Sequence, residues 1–143
     1  MSRPSSEQLR RLGRSLREID PKMLDAHDDE GPVRWFLGEN GTELVAWIDE
    51  AGAPHHIQLV FSRVSVEWTG RALATGTFDL HGSTAGGRYD PYLLRMAGGL
   101  DPEVCEAALE LLRAADIDPV VKEPLLGALA NASRSGAETG SKP

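Results

Sequence analysis

The chain reads as an α+β domain: an N-terminal helix, a four- or five-stranded antiparallel β-meander, and two to three C-terminal helices. Three observations predict it. Leucines recur at helical spacing before residue 20; apolar and polar residues alternate with period two between short turn motifs from residue 33 to 78; and beyond residue 90, Asp-Pro pairs open stretches of helical pattern. With 143 residues, 41% hydrophobic and 26% charged, the chain suits one domain, placed at 5–130 between a flexible 1–4 and a disordered polar tail at 131–143.

Residues 5 to 19 form the first helix by pattern. Leu9, Leu12, Leu16 and Ile19 make one stripe, with Arg10, Arg14 and Arg17 away from it. Ser5 and Gln8 have capping-box spacing, and Asp20-Pro21 ends the run. In the meander, Val33, Trp35 and Leu37 alternate onto one face, joined through Asn40-Gly41, a hairpin signal, to Leu44, Ala46 and Ile48. Asp49 to Gly52 suits a type I turn closed by a left-handed glycine, after which Ile57, Leu59 and Phe61 continue the apolar face. A tight turn at Ser62-Arg63 leads to Val64, Val66 and Trp68, and Leu73 to Phe78 adds a fifth strand. The opposite face is mixed: Arg34, Phe36, Glu43, Val45, Trp47, His56, Gln58, Val60, Ser65 and Glu67. Either a helix or a partner covers it.

Residues 81 to 88, HGSTAGGR, are a small-residue loop. Asp90-Pro91, Asp101-Pro102 and Asp118-Pro119 each put a capping carboxylate before a proline at the first helical position, where the missing N–H costs nothing. The helix at about 102 to 115 has Val104, Ala108, Leu111, Leu112 and Ala115 inward, while Pro124 predicts a break, followed by a helix to about Ala130.

Charge narrows the function classes. A net charge of −7 and pI of about 5.0 oppose an extended phosphate-backbone binder, so no nucleic-acid partner is expected. Residues 1 to 24 carry six basic and three acidic groups, whereas 25 to 50 carry eight acidic groups against Arg34 alone, so a basic arm precedes an acidic half-sheet. Twelve arginines against three lysines fit a GC-rich bacterial genome. The single Cys105 excludes an intrachain disulfide or a CxxC zinc site and suits a reducing compartment. No apolar stretch approaches the roughly 20 residues that span a bilayer, and the first residues lack a signal-peptide core. The expectation is a cytoplasmic protein without stable membrane insertion.

Chemical motifs are sparse. His27, His55, His56 and His81, with Asp25, Asp28 and Asp29, supply ligand types for a metal in no metal-binding spacing, so neither metal nor cofactor is expected. The glycine-rich loop could wrap an anion, but Asp90 and Pro91 oppose that use of the following helix. Cys105 lies in the first turn of a helix, whose dipole favours a thiolate, while Glu103 and Glu106 oppose it. Glu43 and Glu67 are a possible acid/base pair without evident desolvation.

These absences point to a non-enzymatic protein-interaction module, a small adaptor or regulator. Its partner, or a second copy of itself, would use the outer sheet face at Phe36, Trp47 and Gln58, together with Arg10, Arg14 and Arg17. The alternative is a small-molecule or anion-binding domain, possibly an enzyme, with His56, His81, Ser83 and Arg88 at its pocket.

Residues 42 to 68, with Trp47, Asp49, Gly52, Gln58, Leu59, Phe61, Val66, Glu67 and Trp68, resemble a pattern in short uncharacterised proteins of myxobacteria and related GC-rich bacteria. The resemblance implies no activity. It implies only a small adaptor in a bacterial signalling or motility complex.

Overall fold

A computed structural model describes residues 4–20, 27–28, 31–70, 72–77 and 100–141. The chain begins with α1 (Ser6–Ser15) and continues through β1 (Arg17–Glu18), β2 (His27–Asp28), β3 (Gly31–Leu37), β4 (Glu43–Ile48), β5 (Pro54–Phe61), β6 (Val64–Trp68) and β7 (Leu73–Thr77). It ends with α2 (Pro102–Ala114) and α3 (Pro119–Ser141). The class is α+β, with more strands than the four or five expected. Every pairing among the described residues is antiparallel, in the order β1-β3-β4-β5-β6-β7, with β2 on the start of β3. No described helix is long and apolar enough to cross a membrane.

Local chemistry sets the starts of the helices. The Ser5 hydroxyl accepts from the Gln8 N–H at 3.1 Å, and the Gln8 side chain accepts from the Ser5 N–H at 3.0 Å, completing the capping box. Asp101 accepts from the Glu103 N–H and Asp118 from the Val120 N–H, each at 3.0 Å, so both Asp-Pro signals act as read. Asp90-Pro91 lies outside the described residues.

The ends depart from expectation. α1 stops at Ser15 instead of Ile19, because Leu16 turns into extended backbone and Arg17–Glu18 pairs with Leu37 and Phe36. The edge of β3 thereby gains backbone partners that a longer helix would leave unmade. No break occurs at Pro124. The carbonyl deprived of its donor belongs to Val120, which is exposed in the first turn and can turn to water. α3 also continues past Ala130 into the stretch expected as a polar tail, since Val121, Leu125 and Leu129 keep one stripe buried and Ala132 extends it.

The largest correction concerns β3. A two-residue loop at Asn40-Gly41 would pair Leu37 with Leu44; instead Leu37 pairs with Glu43 and Phe36 with Leu44. The connection is a turn of 3-10 helix at Glu39–Gly41, with Asn40 and Gly41 at positive φ and the Gly38 N–H bonded to the Thr42 carbonyl. One residue of register exchanges the two faces of a strand. Phe36, 1% exposed, therefore belongs to the core instead of the outer partner surface, and Val33, Trp35 and Leu37 stand on the outer face.

The core lies between the inner sheet face and the helices. Phe36, Leu44, Ile57, Leu59 and Val66 meet Leu9, Leu12 and Leu16 of α1, Leu111 and Leu112 of α2, and Leu125 and Leu129 of α3. Gly13 is required where α1 crosses α2: a Cβ there would fall 2.0 Å from the Leu111 carbonyl oxygen. Arg34, carried to the inner side with Phe36, joins three elements. Its guanidinium donates twice to Glu18 at 2.7 Å and once to Asp118 at 2.9 Å, and lies 5.6 Å from the centre of the Phe36 ring. These bonds hold the Arg34 proton even more firmly than usual, with Glu18 contributing most. Asp118 is held below the ordinary carboxylate range, first by the Val120 N–H and then by Arg34.

Candidate functional site

Two surfaces hold the residues that the sequence singles out. The first is the outer sheet face, opposite the helix-packed core. Its arrangement follows from register: Trp47 stands opposite His56, and Gln58 opposite Glu67. The indole of Trp47 stacks on the His56 ring, with centroids 4.3 Å apart and planes 19° from parallel. His56 Nε2 is 2.7 Å from a Glu67 carboxylate oxygen, and Gln58 Nε2 donates to the same oxygen at 3.4 Å. The group is largely desolvated, with Trp47 at 8% exposure, Glu67 at 5% and Gln58 at 4%. A carboxylate bonded to one ring nitrogen fixes the orientation of the imidazole.

Trp47 is thus on the face expected of it, but buried and stacked instead of open. Gln58 is buried beside it. Phe36 lies behind the sheet, and its place in front is taken by Trp35. The Trp35 Nε1 and the Ser65 hydroxyl are buried, without a hydrogen-bond partner among the described residues. Glu43 and Glu67 do not form a pair, because β5 stands between their strands, with Glu43 opposite Val60 and Glu67 opposite Gln58. Of the alternative ligand set, His56 is placed as described; His81, Ser83 and Arg88 lie outside the described residues. No group of three or more His, Cys, Asp or Glu suited to a metal occurs among the described residues. Cys105 is buried in the core, where desolvation, followed by the charges of Asp101 and Glu106, pushes the thiol up, away from the nucleophilic thiolate.

The second surface belongs to the helices. Arg10 and Arg14 line an open groove of about 690 Å³ between α1 and α2, with Arg113, Glu106, Glu110 and Leu109. Arg10 faces Glu110 at 3.6 Å. Arg17 is elsewhere: its guanidinium donates to the Arg14 and Leu16 carbonyls at 2.7 and 3.0 Å, closing the end of α1.

The sequence reading does not single out Trp35 or Arg113 as site residues, and it considers Glu67 only beside Glu43. The place of Glu67 was within reach of the sequence, since the two-residue Ser62-Arg63 turn alone dictates that Gln58 faces Glu67. Arg113 carries no such signal, because its neighbour across the groove is about a hundred residues away in the chain. The chain matches no family model, no curated protein and no solved structure.

Proposed function

We propose that this chain is a protein-interaction module that takes its partner, or a second copy of itself, on the outer face of the sheet. The observation that carries this reading is the apolar strip of Val33, Trp35 and Leu37 on β3 with Val45 beside it. Leu37 is 42% exposed, the others are half-buried, and the core packs the described helices on the opposite face. Apolar and aromatic side chains grouped on one surface are what interface cores use. The finer placement, as a small cytoplasmic adaptor or regulator of a bacterial signalling or motility complex, is supported by composition and by the resemblance of residues 42–68.

A second reading is favoured by one observation. The buried His56, Gln58 and Glu67 cluster, with the unpartnered Ser65 hydroxyl on the same face, has the polar groups of a small-ligand site. Glu67 there disfavours an anion and favours a neutral or cationic polar ligand.

The test compares the full chain with Trp35→Ala and Leu37→Ser by native mass spectrometry and by affinity capture from the source organism. A homodimer or stoichiometric partner lost in both variants, with unchanged circular dichroism melts, is the expected result. Association that persists undiminished in both removes the sheet face. A monomer that retains a small molecule moves the assignment to the His56 cluster.

A further inference from the structure

The groove on the helical side has chemistry of its own, independent of the sheet-face reading. Most of the arginines near it are engaged. Glu110 accepts from the Ser6 hydroxyl at 2.9 Å and faces Arg10; Arg11, just outside the groove, donates to Glu39 at 3.1 Å; Arg17 caps α1. Arg14 and Arg113 remain. Both are exposed in the last turn of their helices, and neither guanidinium has a hydrogen bond or ion pair among the described residues. They line the same groove, above Leu109.

We propose that this groove docks an acidic, amphipathic segment of a partner protein. Two of its carboxylates would engage Arg14 and Arg113, and an apolar side chain between them would rest on Leu109. Charge complementarity selects this occupant. Two free guanidinium groups with planar donor forks suit carboxylates. The chain as a whole is at −7, so a long polyanion such as nucleic acid is repelled by everything outside the groove, whereas a short segment feels mainly the local arginines. Glu106 and Glu110, in the same groove, disfavour an unbroken run of acids and favour acids spaced by apolar residues.

A fluorescein-labelled peptide with glutamates every third or fourth residue among leucines and alanines is titrated with the full chain, read by anisotropy. Saturable binding that weakens with added salt is expected. The Arg14→Gln/Arg113→Gln variant should lose about ten-fold or more in affinity, as two charge-assisted contacts disappear. Arg11→Gln removes one charge beside the groove and should change affinity less than about two-fold, because an exposed charge acts weakly at a distance. Trp35→Ala should leave this binding intact whatever becomes of the sheet face. No saturable binding, or equal weakening in Arg11→Gln and the double variant, overturns the proposal. So does displacement of the peptide by inorganic phosphate or a short oligonucleotide at equal or lower concentration, which makes the groove a phosphate site.

Discussion

Replacing Gly13 with alanine is the sharpest test of how the helices meet. The added Cβ would lie 2.0 Å from the Leu111 carbonyl oxygen, 3.0 Å from its carbonyl carbon and 3.3 Å from the Ala114 Cβ. Carbon–oxygen contacts settle at about 3.3 Å, so α1 and α2 must separate by roughly 1.3 Å. The two nearest obstructing atoms are backbone, and no rotamer change relieves them. A gap of that order forfeits a quarter to a half or more of the dispersion contacts along the seam, where Leu9, Leu12 and Leu16 are buried. With each leucine contributing about 1.5–3 kcal/mol by burial, the loss is about 2–4 kcal/mol, offset by about 1 kcal/mol of better helix propensity. Gly13→Ala should therefore cost about 1–3 kcal/mol in urea melts followed by circular dichroism and lower Tm by roughly 3–12 °C. Gly127→Ala is the matched control. Its Cβ would meet nothing within 4 Å, so the same substitution there should stabilise by about 0.5–1 kcal/mol. A Gly13→Ala protein as stable as the parent, or more so, would refute the close crossing and make Gly13 an ordinary helical glycine.

Other expectations concern the turns, the buried groups and the charged network. Ser62 and Arg63 both sit at positive φ in the two-residue turn between β5 and β6, so replacing them with Asn-Gly should raise stability by about 1 kcal/mol or more, read by thermal melts. Trp47→Ala should cost about 3–5 kcal/mol in urea, because the indole is buried against His56; a loss under about 1 kcal/mol would return Trp47 to the open surface. Asp118→Asn keeps a capping acceptor but removes the charge from Arg34. Since folding lowers the Asp118 pKa from its ordinary 3.8, the advantage of the native residue is present above that pH and lost as pH falls through the folded value. Melts from neutral to strongly acidic pH should show the two proteins converging. Cys105 should react with a thiol reagent only at the rate of unfolding; rapid labelling of the native chain would contradict its burial.

The parts legible in the sequence are those whose causes lie within a few residues. The Ser5–Gln8 box, the two described Asp-Pro caps and the Ser62-Arg63 turn each close over one to four residues, and each acts as read. The alternation of β5 and β6 is equally decisive, because one parity is wholly apolar and the other mostly polar. In Val33 to Leu37 both parities are apolar apart from Arg34, so alternation cannot choose between Trp35 and Phe36. The nearby Asn-Gly motif points to the wrong loop length.

Composition, spacing and capping thus determined that this chain makes a helix, a meander and two more helices, and which face most strands bury. Tertiary structure decided the rest. It placed Arg34 where Glu18 and Asp118, 16 and 84 residues away, could neutralise it, and so set Phe36 inward and Trp35 outward. It brought Arg14 and Arg113 to one groove and stacked Trp47 on His56. The physical reason is that caps and turns are satisfied by near neighbours whatever the remainder does. Facing, burial and charge pairing instead depend on which distant elements arrive, and a single residue of register can reverse them.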